Sequence, residues 1–262
     1  MASSPEGHPE IERIVAPNPG PMTLEGTNTY VIAAERGAYV IDPGPADEAH
    51  VAAIRTAAQR HGEILGVLLT HSHADHSAAV PMLAPAPLVW GSIGSGDETA
   101  GEPGTTGQRP DPPTHVGPFL VVPTPGHAAD HVCLLLGAVC FSGDLILGEG
   151  SSFVPPDGGS LAALLESLRT VRDLRPQLLC PGHGPYVYDA VARAEEYIEH
   201  RLERERKLLA ALADGERSRE RLLERAWDDV PAELRPAAAL VMQAHLDKLA
   251  AEGRLQPAEL TD

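Results

Sequence analysis

Four groups able to hold a metal ion fall within six residues: His71, His73, Asp75 and His76 of the stretch Thr70-His71-Ser72-His73-Ala74-Asp75-His76. The cluster directly follows the apolar run Ile64 to Leu69, so it reads as the carboxyl end of a buried strand. Imidazole nitrogens and a carboxylate at the mouth of a strand suit zinc. His71 and His73 are separated by one residue, so an extended chain can turn both toward one ion. Asp75 and His76 fall where the chain enters the next helix and could reach a second. The competing reading is a solvated His-rich turn.

Three further ligand-type residues follow three further strand-like runs. His127 closes Thr124-Pro125-Gly126-His127 after Phe119 to Val122, and Asp144 closes Phe141-Ser142-Gly143-Asp144. His183 sits in Pro181-Gly182-His183-Gly184 after Leu178 to Cys180. Each stands beside a glycine that lets the backbone turn sharply. A lone histidine after a strand is more often structural, but four such endings in one chain are hard to assign to chance. Asp42, after Tyr39 to Ile41, reads by itself as the start of an Asp-Pro-Gly turn. His131 and His115 read as structural or ordinary polar residues. Cys180, three residues before His183, reads as a core thiol because strand alternation would point it inward.

The elements that position these residues follow from the apolar pattern. Tyr30 to Ile32 and Ala38 to Asp42 form strands joined by a turn at Glu35-Arg36-Gly37. Asp47 caps a helix to about His61, with Val51, Ile54 and Ala58 on one face. Ser77 to Leu83 is expected to be helical. Residues 91–115 are rich in Gly and Pro and offer little to bury, which reads as a long loop or lid beside the site. The segment from His131 to Phe141 forms a hairpin that delivers Asp144. Ser160 caps a helix carrying Leu161, Leu164, Leu165, Leu168 and Val171 at helical spacing. Beyond Ala190 the chain is helical and charged. Ala194 to Ala213 is expected to be a solvated helix laced with ion pairs. Ser218 to Ala226 and Ala232 to Ala251 follow as helices, and an extended piece begins at Gly253.

At 262 residues and 43% hydrophobic content, the chain can bury a large core with one small appendage. No stretch is long enough for a transmembrane helix, so no membrane is expected as partner. Met1 to Ile11 lacks the charged-then-apolar pattern of an export signal, which argues against a secreted β-lactamase. Three cysteines inside apolar runs suggest buried reduced thiols and a cytoplasmic location. The net charge of −17 disfavours non-specific attraction to nucleic acid or anionic membrane.

The H-x-H-x-D-H motif, followed by separate His, Asp and His residues, resembles the metallo-β-lactamase superfamily. That resemblance implies an α/β (α+β) fold, an αββα sandwich over residues 1–190. It puts His71, His73 and His127 on one zinc, Asp75, His76 and His183 on another, and Asp144 between them. It makes Asp42 a carboxylate that orients the site. The implied cofactor is two Zn²⁺, with iron or manganese as alternatives. Two such ions lower the pKa of a bridging water toward ~7 and polarise the electrophile, with Asp75 and Asp144 as the catalytic carboxylates.

The stretch Asn18 to Tyr30, the run Phe141 to Gly150, the Pro-Gly-His-Gly-Pro at 181–185 and the ending Leu249 to Arg254 are similar to the β-lactamase-like protein 2 group. That group has a winged-helix tail, here residues 191–262, and includes an endoribonuclease acting on single-stranded RNA. The resemblance implies a phosphodiester hydrolase using a metal-bridging hydroxide, with homodimerisation through the C-terminal domain as a further expectation. Glyoxalase II and the stand-alone polyketide thioesterases share the metal motif, so the alternative is a thioester or other acyl hydrolase with a small-molecule acyl substrate. A non-catalytic binding protein is the remaining class, disfavoured by the intact ligand set.

Overall fold

The computed structural model describes residues 3–83, 88–90, 115–156 and 158–261. Among the described residues, ten strands form two five-stranded sheets. The first contains β1 (Ile11–Val15), β2 (Asn28–Ala34), β3 (Gly37–Ile41), β4 (Glu63–Leu68) and β5 (Leu88–Trp90) in sequence order. The second contains β6 (His115–Val116), β7 (Phe119–Pro123), β8 (Val132–Leu136), β9 (Val139–Gly143) and β10 (Leu178–Pro181). Neighbours are antiparallel except β3–β4, β4–β5 and β9–β10, which run parallel.

Side-chain alternation decides how the sheets stack. Tyr30, Ile32, Ile41 and Leu68 from the first sheet meet Phe119, Val121, Leu134, Phe141 and Cys180 from the second in one buried cluster. On the outer face of the first sheet, Val31, Ala38 and Val40 pack on Val51, Ile54 and Ala58 of helix α1 (Glu48–Gln59). On the outer face of the second, Cys133, Cys140 and Leu179 pack on α3 (Leu161–Leu174) and the start of α4 (Ala190–Ala213). The layers are therefore helix, sheet, sheet, helix, as expected. Asp47 and Ser160 cap α1 and α3 with their side chains. All three cysteines are free and buried.

Four local expectations need correction. In place of one helix over Ser77 to Leu83 there is a short α2 (Ala74–Ser77) and a 3-10 turn at Val80–Leu83. Pro81 lacks the amide hydrogen that a continuing helix would need. The helix expected from Ala232 is likewise split into a 3-10 turn at Ala232–Leu234 and α6 (Arg235–Ala251), with Pro236 in the first helical turn. No strand follows Gly253; there is a 3-10 turn at Pro257–Glu259 and a single parallel bridge from Ser218 to Thr261. Nor is α4 a solvated helix, since Arg201, Arg204 and Glu205 are buried. The expected lid falls outside the described residues apart from His115, which is exposed and pairs with Leu120 in β6–β7.

The second half of α4 belongs to another core. Leu208, Ala211 and Leu212 pack with Leu222 and Ala226 of α5 (Arg219–Ala226), Trp227, and Met242, Leu246 and Leu249 of α6. One helix thus contributes to both clusters. Among the described residues, no helix is long and apolar enough to cross a membrane.

Leu164 is fully buried, and Gly126 lies against its backbone. A Leu164→Ala substitution is expected to destabilise the chain by about 2–5 kcal/mol, measured by denaturant unfolding. A loss under about 0.5 kcal/mol would mean that this face of α3 does not pack as described.

Candidate metal centre

Five strand ends converge at one edge of the sandwich. The turn after β3 gives Asp42, the segment after β4 gives His71 to His76, and the turn after β7 gives His127. Asp144 follows β9 and His183 follows β10. The crowding requires glycines. A Cβ on Gly182 would collide with Asp144 Oδ1 and lie 2.7 Å from His76 Cε1. Gly143 has φ of 46°, and a side chain there would meet Thr70 and His131. Asp42 itself adopts a left-handed backbone with φ of 49°, an uncommon conformation for a residue other than glycine.

The predicted residues come together in three overlapping groups: His71, His73 and His127; His71, His76 and Asp144; and Asp75, His76 and His183. The spacing can be compared with what an ion requires. Ligands about 2.0–2.1 Å from a tetrahedral ion stand about 3.4 Å apart. His76 Nε2 lies 3.4 Å from Asp144 Oδ1, and His183 Nε2 lies 3.4 Å from both Asp144 Oδ2 and Asp75 Oδ2. His76 Nε2 to Asp75 Oδ2 and His127 Nε2 to Asp144 Oδ2 are each 3.6 Å. The other group is tighter: His73 Nδ1 is 3.0 Å from His71 Nε2 and 2.9 Å from His127 Nε2. Those rings would open slightly around an ion of zinc's size.

Unpaired atoms point the same way. His76 Nε2, His183 Nε2 and Asp144 Oδ1 are buried and lack hydrogen-bond partners. Buried polar atoms left without partners are costly, and these three converge on one point. The residues present therefore fit a cation.

The other nitrogen of most of these rings is anchored. Asp42 Oδ1 accepts the Thr70 amide at 2.8 Å, while Oδ2 accepts the Thr70 hydroxyl at 2.7 Å and lies 2.9 Å from His76 Nδ1. The Thr70 hydroxyl is also 3.0 Å from His71 Nδ1. His127 Nδ1 lies 2.8 Å from the Phe153 carbonyl and His183 Nδ1 3.3 Å from that of Gly26. These contacts fix which ring nitrogen faces the centre.

The electrostatics divide the site. Burial, and then the charge of His76, hold His71 well below its ordinary pKa; burial and His127 lower His73. Neutral imidazoles offer a lone pair to a metal. Burial also works against a charged His76, but Asp144 and Asp42 outweigh it and raise its pKa well above normal. His183 is raised to about 9 against its own burial, by the nearby carboxylates of Asp144 and Asp75. Burial would raise Asp144, yet His76 and His183 hold it well below the usual carboxylate range. Asp75 is likewise lowered, its burial outweighed by His183 and His76. This half of the pit stabilises positive charge.

The remaining candidates fall outside the ligand set. His131 is buried, accepts the Asp144 amide at 3.2 Å through Nε2, and bonds Thr124 through Nδ1. Its pKa is lowered to about 3, chiefly by burial. It is a structural support for Asp144, as its position suggested. Burial pushes the Cys180 thiol upward, and its side chain lies between the sheets. Sequence reasoning missed Thr70 and the Phe153 and Gly26 carbonyls. Thr70 sat inside the motif; a backbone carbonyl leaves no mark on sequence.

The ligand-type residues open into a cavity of about 520 Å³. Its walls include Met22, Leu24, Leu147 and Phe153, together with Trp227, Val230 and Val241 from the C-terminal helices. Met22 and Leu234, both on this lining, are among the few large apolar side chains left exposed.

Comparison with known proteins agrees with this geometry. Residues 22–89 and 97–183 match the family described as metallo-beta-lactamase superfamily, and residues 218–259 match the beta-lactamase associated winged helix domain. The beta-lactamase-like protein 2 homolog of Drosophila melanogaster is 33% identical across 96% of this chain and 91% of that protein. An atrochrysone carboxyl ACP thioesterase of Aspergillus chevalieri is 32% identical across 79% of this chain and 67% of its own. The crystal structure of a beta-lactamase domain protein from Burkholderia ambifaria superposes with a TM-score of 0.74 at 21% identity, covering 96% of this chain and 88% of that one.

Replacing Asp42 with Asn would weaken its hold on Thr70 and His76. Divalent-metal affinity is expected to fall about 10–100-fold, measured by competition with a chelator. Unchanged affinity in a folded variant would remove Asp42 from the role of orienting the site.

Proposed function

The chain belongs to the metallo-β-lactamase superfamily and is a metal-dependent hydrolase; from that premise we propose that it is a binuclear zinc enzyme cleaving acyl thioesters or related esters. His71, His73 and His127 would hold one ion and Asp75, His76 and His183 the other, with Asp144 next to residues of both groups. When bound, the ions supply Lewis acidity and water acidic enough to act at neutral pH. Asp75 is ionised and partly exposed beside His76 and His183, which places it to take up a proton during turnover; Asp144 fixes the spacing of the two ligand groups. In the net reaction the acyl carbon–sulfur bond breaks, water supplies the carboxylate oxygen, and the thiol leaves with a proton.

One observation carries the acyl reading: the cavity beside the ligands is lined mostly by apolar surface. An acyl body would be desolvated against Met22, Leu147, Phe153 and Val241. An RNA strand would instead call for a basic groove and accessible aromatic faces. Trp227 is buried, however, Arg204 is committed to Asp229, and the net charge is −17. The thioesterase relative supports the same reading. A second reading, the phosphodiester hydrolase acting on single-stranded RNA, is favoured by similarity to β-lactamase-like protein 2 homologs over nearly the whole chain. The buried free cysteines suit a reducing compartment such as the cytoplasm.

Zinc-loaded protein is to be assayed on medium-chain acyl thioesters and on end-labelled single-stranded RNA, with Asp75→Ala as the control. Thioester cleavage that falls by about 100-fold or more in the variant is expected. Asp75-dependent RNA cleavage without thioester cleavage would overturn the acyl reading in favour of the second.

A further inference from the structure

The cavity has a second polar end. His200, Arg201 and Arg204 line it from α4, on the same cavity as His73, Asp75, His127, Asp144 and His183. Arg204 is fully engaged in charge terms. It bonds Asp229 at 2.6 and 2.9 Å, donates to the Ala226 carbonyl, and lies over the Trp227 ring.

Arg201 is different. It is only 2% exposed, and among the described residues no carboxylate lies within ion-pair distance of it. Its Nη2 donates to the Ser151 hydroxyl at 2.8 Å and to the Ser152 carbonyl, both neutral acceptors. Its Nε is buried with no partner. Burial, and then the neighbouring Arg204, lower its pKa to about 10. Burial, and then Arg201 and Arg204, lower the pKa of the adjacent His200, while Asp229, the partner of Arg204, acts in the opposite direction. Burying a guanidinium with no counter-charge is unfavourable unless something neutralises it. A guanidinium fork also matches the planar geometry of a carboxylate.

We propose that Arg201 forms an anion subsite in the substrate cavity, so that the substrate is an acyl compound bearing a second, distal carboxylate. The acyl group lies at the metal residues, its apolar body along the Met22, Phe153 and Val241 wall, and the distal carboxylate at Arg201. This rests on the acyl reading of the site and adds a requirement for charge at a fixed distance from the reacting carbon.

The test is binding, so it does not depend on turnover. Dissociation constants of octanoate and suberate, equal in chain length, are to be measured on the zinc-loaded protein by calorimetry, together with dicarboxylates two carbons shorter and longer. Suberate or one neighbouring dicarboxylate is expected to bind at least about 10-fold more tightly than its monocarboxylate, with a maximum at one length. In Arg201→Gln that ratio should fall toward one, while Arg201→Lys should retain part of it. A purely structural Arg201, pinning Ser151 and Ser152, would weaken both ligands alike and leave the ratio unchanged. No dicarboxylate preference in the wild-type protein would overturn the proposal, as would a preference that survives in Arg201→Gln. If the glutamine variant does not fold, Arg201→Lys decides: a reduced dicarboxylate-to-monocarboxylate ratio supports the subsite, and an unchanged ratio overturns it. A dicarboxylate preference without any thioester hydrolysis would retain the subsite and reject the acyl reading of the reaction.

Discussion

The structure depends on a concentration of carboxylates and imidazoles in a pit from which water is largely excluded. Asp42, Asp75 and Asp144 surround His76 and His183 there, and three ligand-type atoms lack partners. Such an arrangement is costly unless a cation neutralises it. Other features follow from this constraint. Strands from both sheets must end at the same edge, and the turns between them must be glycine where a side chain would strike a ligand. Each ring must also be held from behind so that its free nitrogen faces inward. Thr70 joins the two sheets in this region, since its side chain meets Asp42 and His71 while its carbonyl accepts the Val132 amide.

The C-terminal helices are part of the same device. The first half of α4 packs on the catalytic sandwich and its second half on the terminal helices, so it carries residues of one cluster into contact with the other. Arg193 and Arg201 hold carbonyls of the 147–152 segment, and the next carbonyl, that of Phe153, orients His127. Trp227, Val230 and Val241 close the cavity opposite the ligands. The terminal module therefore shapes what the metal centre can reach.

The ligand set was legible because its members follow apolar runs: four lie in one short cluster after β4, and His127, Asp144 and His183 each stand beside a glycine. Strand burial and turn chemistry leave regular marks on sequence. The caps at Asp47 and Ser160 were legible for the same reason. The anchors on His127 and His183 were not, because the carbonyls of Phe153 and Gly26 are common to every residue type. The burial of Arg201, Arg204 and Glu205 was also hidden. Alternating charges on a helix look the same whether they face solvent or an adjoining domain, and only the packing of α5 and α6 distinguishes the two. Pro81 and Pro236 were visible in the sequence, and the helix breaks beside them follow from local backbone chemistry.

The central claim is that two cations share this pit, with His73 serving one and His183 the other. It is tested most directly by metal content per chain after zinc loading and desalting, in the wild-type protein and in His73→Ala and His183→Ala. The account predicts about two ions in the wild type and about one in each folded variant. A wild-type content of one ion, or variants that both retain two, would contradict it.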